Sequence, residues 1–136
     1  VHAGWRGIVQ AITCRTISCM KQKYGCDVTR MQALVGPSIS RDAFEVGNEV
    51  VDRFRQSHSW TDEETESLFS VNPRTGKVHI DLWRAVELQL RQEGLTDGNI
   101  HLSGICTYQQ VEDFFSARRL GIKSGRILSG ICLRGT

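Results

Sequence analysis

Apolar residues recur at helical spacing over residues 8–24. Ile8, Ala11, Ile12 and Cys19 form one stripe, and Val9 and Met20 widen it. That spacing predicts a single helix over 8–24, stopped by Gly25. Residues 31–35 make a short apolar run that ends at Gly36-Pro37, which predicts a buried strand entering a turn. Val46, Val50, Val51 and Phe54 predict a second helix. Residues 57–66 are polar and read as a surface loop. Residues 69–71 and 78–80 predict two strands around the turn Asn72-Pro73-Arg74-Thr75-Gly76. Asp81 reads as the N-cap of a third helix, with Trp83, Val86 and Leu90 facing inward and Gly94 ending it. Residues 100–105 predict another strand, and 112–116 a helical turn carrying Phe114 and Phe115. Residues 126–133 alternate, with Ile127, Ile131 and Leu133 on one face, and predict a last strand. Strands interleaved with helices give an α+β (mixed α/β) fold, with mixed sheet layers flanked by helices, as one domain over 1–136.

Composition narrows this little. A chain of 136 residues with 40% hydrophobic and 24% charged residues is long enough to bury one core. The net charge is +2 and the cations are scattered, so no nucleic-acid partner is expected. No apolar run reaches the length of a bilayer span, so no membrane is expected either. The start lacks a secretory pattern, and the five cysteines include no Cys-x-x-Cys pair; both favour a cytoplasmic chain with reduced thiols. The chain opens at Val1 rather than Met, which reads as a processed or truncated end.

Chemistry concentrates at His2-Ala3-Gly4-Trp5-Arg6-Gly7. A neutral imidazole ligates zinc or copper, and Arg6 is suited to a two-pronged phosphate contact. Gly7 is expected to open the helix, whose first amides favour an anion. A disordered terminal His2 and a Trp5 that only fills the core remain the alternative. Ser38 and Ser40, in the turn Gly36-Pro37-Ser38-Ile39-Ser40, offer hydroxyls to a ligand oxygen or simply make a structural turn. Cys106 follows a strand and is either a nucleophile or a buried, inert thiol, depending on its pKa. Arg118, Arg119 and Arg126 are candidates for gripping phosphate or for salt bridges to surface carboxylates. Glu45 is a possible acid or base. His58, His79 and His101 are isolated and carry no assigned role.

Together these motifs resemble the YfiH-like (FAMIN) family, first labelled multicopper polyphenol oxidoreductases or laccase-domain proteins. The resemblance runs in order through His2-Ala3-Gly4-Trp5-Arg6-Gly7, Gly36-Pro37-Ser38-Ile39, Phe44-Glu45-Val46-Gly47 and Asp81-Leu82-Trp83-Arg84-Ala85. It continues through Cys106-Thr107, Phe114-Phe115-Ser116 and Gly125-Arg126. It implies a YfiH-like fold and a purine nucleoside phosphorylase. Such an enzyme acts on adenosine, inosine, guanosine and methylthioadenosine with phosphate, and also deaminates adenosine. The resemblance implies zinc, with copper and phenol oxidation as the alternative enzyme and a non-catalytic nucleoside-binding module as the other. The family's metal site takes two histidines and a cysteine, and only the second histidine matches here, as His2. The chain therefore resembles the C-terminal part of a member that lacks its N-terminal segments. Alone it is expected to be inactive and to hold metal weakly. An uncovered edge or apolar face is expected, met by its own N-terminal fragment or by another copy. On this reading His2 and Arg6 are catalytic, His2 is the metal ligand, and Arg6, Gly7, Ser38 and Arg119 bind substrate or phosphate. Ser40 stands where the family usually has Gly.

Overall fold

The computed structural model describes residues 1–132. The helix expected over 8–24 is two helices, α1 (Trp5–Val9) and α2 (Ile12–Tyr24), broken at Ala11 with φ 56° and ψ 42°. The stripe holds at Ile8 but not along α2, where Cys19 and Met20 are exposed and the buried positions are Thr13 and Ile17, so the two helices serve different cores. Ile8 is buried with Phe44, Phe54 and Leu68, whereas Ile17 is buried with Leu90 and Leu95. The break lets the two helices diverge toward these separate clusters.

The short helix α3 (Asn48–Arg55) begins after Gly47, so Val46 ends the strand β2 (Glu45–Val46) instead of opening the helix. The loop expected over 57–66 contains a helix, α4 (Asp62–Ser67). Its origin is local. The Thr61 hydroxyl accepts from the Glu64 amide at 3.2 Å, and the Glu64 carboxylate accepts from the Thr61 amide at 2.9 Å. This reciprocal cap satisfies two otherwise unpaired amides, and Asp62, Glu63 and Glu64 suit the positive end of the helix.

The Asp81 carboxylate caps α5 (Leu82–Gln92) as expected, accepting from the Arg84 amide at 2.9 Å. Leu82, Ala85, Leu88, Gln89 and Leu90 face inward, while Trp83 is only half-buried. α5 is the central element. Its first turns fill the larger cluster, its end fills the smaller one, and Val86 packs against both.

Two sheets flank it. β3 (Phe69–Val71) and β4 (Val78–Ile80) form the expected hairpin, and β2 pairs antiparallel with β4 to give the order β2-β4-β3. β1 (Ala33–Val35) and β5 (Ile100–Leu102) are shorter than the runs that predict them and pair parallel, Ala33 opposite Ile100 and Val35 opposite Leu102. The strand expected over 126–133 does not form among the described residues, and Leu133 lies outside them. The expected helical turn forms only up to Phe114, whose amide donates to the Gln110 carbonyl at 3.0 Å; residues 115–116 are irregular, and the helix starts later, as α6 (Ala117–Leu120). Phe115 is exposed and Phe114 half-buried. No helix among the described residues is long and apolar enough to cross a membrane.

The sheets differ in cover. Ala33 and Ile100 pack under Leu90 and Leu95, but Leu34 on the opposite face of β1 is 57% exposed. Parallel strands are ordinarily covered on both faces. Beyond them Leu120, Ile122, Leu128 and Ile131 are exposed, Leu128 to 98%.

Candidate functional site

Gly4 precedes α1 in extended backbone, and Ala3 and Trp5 pack against the larger core. This anchors the turn from below and leaves His2 and Arg6 exposed above it. His2, Gly4, Trp5, Arg6 and Gly7 line a half-open concavity of about 370 Å³. A Cβ at Gly4 would lie 3.1 Å from His2 Nε2, so a side chain there would press on the imidazole. The Arg6 guanidinium stacks over the Trp5 ring at 4.4 Å from its centroid. That arrangement orients the cation without neutralising it, and no ion pair engages Arg6 among the described residues.

Gly7 does not open the helix. It lies inside α1, where a Cβ would meet the Ile12 side chain at 3.2 Å, so its place is packing against α2. α1 has five residues and no capping side chain, too short for a macrodipole to carry anion binding. Any anion contact on this rim therefore falls to Arg6.

The other candidates lie elsewhere. The Ser38 hydroxyl donates to the Gly36 carbonyl at 3.1 Å and accepts from Trp83 Nε1 at 2.7 Å, and its backbone bridges to Cys106. Arg119 lies over Tyr108 and donates to its carbonyl. Neither residue lines the concavity. Arg118 donates to the Glu45 carbonyl at 2.7 Å and lies over Phe44. Arg126 donates to the Ser124 and Gly125 carbonyls. Backbone carbonyls, not carboxylates, hold all three arginines.

The sequence gives no warning of one pairing. Cys106 Sγ accepts from the Ser40 amide at 3.3 Å and from its hydroxyl at 3.1 Å, across 66 residues. Burial acts to raise the thiol pKa, but the Ser40 hydroxyl and amide, with the Gln109 and Tyr108 amides, hold it below the ordinary range. Ser40 thus has a task that glycine lacks, and at φ −78° its backbone needs no glycine. Glu45 is also engaged. Its hydrogen bond from Lys77 Nζ at 2.9 Å holds its carboxyl below the usual range, and His79 Nε2 stands 3.6 Å from its other oxygen. Among the described residues no three His, Cys, Asp or Glu side chains converge on a point that could hold a metal.

The family model described as multi-copper polyphenol oxidoreductase laccase matches residues 1–134. The chain is 44% identical over 133 residues to a purine nucleoside phosphorylase of Bacteroides thetaiotaomicron, covering 98% of this chain and 48% of that one. It is 45% identical over 130 residues to adenosine deaminase RL5 of an unknown prokaryotic organism, covering 96% and 48%. The fold matches the crystal structure of Bacillus licheniformis hypothetical protein YfiH with a TM-score of 0.77 at 25% identity, covering 88% of this chain and 43% of that one. It matches YlmD from Geobacillus stearothermophilus with a TM-score of 0.75 at 29% identity, over the same shares. The chain spans about half the length of the curated relatives it matches.

Proposed function

The chain belongs to the multi-copper polyphenol oxidoreductase laccase family, and from that membership we propose that it is one half of a purine nucleoside phosphorylase that also deaminates adenosine. The reading is carried by His2 and Arg6 on one rim of a concavity, in a chain whose relatives bear those two enzyme names. In this role Arg6 grips phosphate through two parallel N–H donors, held in direction by its stacking on Trp5. A phosphate oxygen then bonds to the ribose C1′ of adenosine, inosine, guanosine or methylthioadenosine as the C1′–N9 bond breaks. The purine leaves with that bonding pair and takes up a proton.

The residues present do not fit a resident metal. His2 is a single imidazole donor on its rim, and a metal site needs several ligands meeting in one geometry. Zinc would supply an activated water for deamination only where another polypeptide segment adds ligands beside His2. The same segment would cover the bare face of β1 and β5, and the exposed apolar arm beyond residue 115 supports that placement. We assign this role to an upstream half like that of the relatives, acting in the cytoplasm.

The test is to join the chain to the remaining half of the Bacteroides thetaiotaomicron relative. Ribose 1-phosphate and ammonia are then measured from adenosine with and without phosphate. Phosphate-dependent ribose 1-phosphate is expected, and Arg6→Lys should lower kcat/KM for phosphate by about 10- to 100-fold through loss of the fork. A joined protein that binds adenosine yet converts none would instead identify a nucleoside-binding module.

A further inference from the structure

The turn bearing His2 and Arg6 is attached through a broken helix, and the break is held from outside. Ala11 is the one residue with a Cβ in the left-handed region among the described residues, a conformation disfavoured for such residues. Neither proline nor a side-chain cap accounts for the break locally. The carbonyls at the end of α1 find remote donors. Ile8 O accepts from Gln89 Nε2 at 2.8 Å as well as from the Ala11 amide at 2.9 Å. Val9 O accepts from the Ser57 hydroxyl at 3.1 Å.

Gln89 is chemically out of place for a core residue. It is fully buried on α5, and its Oε1 has no partner. A buried amide with one unpaired end is costlier than an apolar side chain of the same size. Packing therefore does not explain it, but its grip on the Ile8 carbonyl does. Ala11 lies five residues beyond Arg6, about 7 Å of helix rise. A rotation of about 10° at that hinge moves the Arg6 backbone by roughly 1 Å, a displacement that matters greatly in a positioned site.

We propose that Gln89, with Ser57 as its weaker partner, is a positioning residue for the His2–Arg6 turn. By holding the carbonyl end of α1, the pair sets the angle between α1 and α2 and so the direction in which Arg6 points. The link to phosphate rests on the reading above; the link to the geometry of α1 does not.

Gln89→Met keeps the side-chain length and removes both the donor and the unpaired acceptor, so its melting temperature should stay close to that of the parent. It is expected to bind inorganic phosphate about tenfold more weakly, followed by NMR at the Arg6 Nε–Hε and Gly7 amide resonances. It should also shift the Arg6 Nε–Hε resonance without phosphate and speed hydrogen exchange at the Ile8 and Ala11 amides, leaving the middle of α2 unchanged. Ser57→Ala should act in the same direction by about threefold. Leu95→Val, in the smaller core, should lower the melting temperature while leaving phosphate affinity and α1 exchange alone. Parental exchange and an unmoved Arg6 resonance in Gln89→Met would overturn the proposal, as would equal loosening of α1 by Leu95→Val. If phosphate moves no resonance in the parent, the phosphate reading fails by itself. The clamp then stands or falls on α1 exchange and the Arg6 resonance in Gln89→Met.

Discussion

The core around α3, α4 and β2-β4-β3 and the layer formed by β1 with β5 are built from similar residues but reach different ends. In the first, Phe54, Leu68, Ile80 and Ala85 have no exposed surface, Phe54 stacks on Trp60 at 5.6 Å, and Trp60 Nε1 donates to the Ala85 carbonyl. In the second, only the face toward α2 and α5 is covered, and Leu34 on the other face remains open to solvent. An antiparallel hairpin completes its ladder from neighbouring sequence, here β3 with β4, and β2 joins it across α3 and α4, Glu45 opposite His79. A parallel pair needs partners brought from afar and cover on both faces. The first core is closed by its own residues, whereas the second leaves one apolar face open to solvent. The His2–Arg6 turn is attached to the closed core through Ala3 and Trp5.

The largest effect expected on this contrast is Phe54→Ala, which should cost about 3–5 kcal/mol by urea denaturation, because the stacked core cannot collapse around the gap. A loss under about 1 kcal/mol would mean the first core is no better packed than the second. Thr61→Ala removes the cap of α4 and should cost about 1 kcal/mol in the same assay. Serine at Ile122, Leu128 and Ile131 together should change stability by no more than about 0.5 kcal/mol per site while raising solubility. A larger loss would mean that arm is already packed in the isolated chain. The smallest effect concerns pH. Burial first, then the hydrogen bond and charge of Glu93, pushes the Cys14 thiol up to about 11 from an ordinary 9.0. The folded chain therefore keeps that proton longer than the unfolded chain. The contribution is full below pH 9 and is lost as pH rises toward 11. Cys14→Ala should flatten the fall of melting temperature across that window.

Much of the fold is legible from short-range pattern. The Asp81 cap, the Gly25 stop, the β3–β4 hairpin and the two strands that become β1 and β5 all follow from neighbouring residues. α4 was legible too, since Thr61 and Glu64 stand three apart in a capping box, but the polarity of 57–66 masks it. The strand read over 126–133 shows the opposite error. Alternation there is real, but a strand forms only where a partner ladder exists, and none reaches residues 126–132.

Sequence alone determined the family, through motifs in order from His2 to Arg126, the mixed architecture, through short apolar patterns, and the grouping of His2 with Arg6 within one turn, because each is written in residue identity and spacing along the chain. Tertiary structure alone decided that Arg118 and Arg119 grip the carbonyls of Glu45 and Tyr108, that Ser40 tunes Cys106, and that Gln89 holds the break at Ala11. Those pairings join residues up to 81 apart in the chain. Their geometry exists only once two cores have set the angles between helices, and no local pattern encodes an angle fixed by packing.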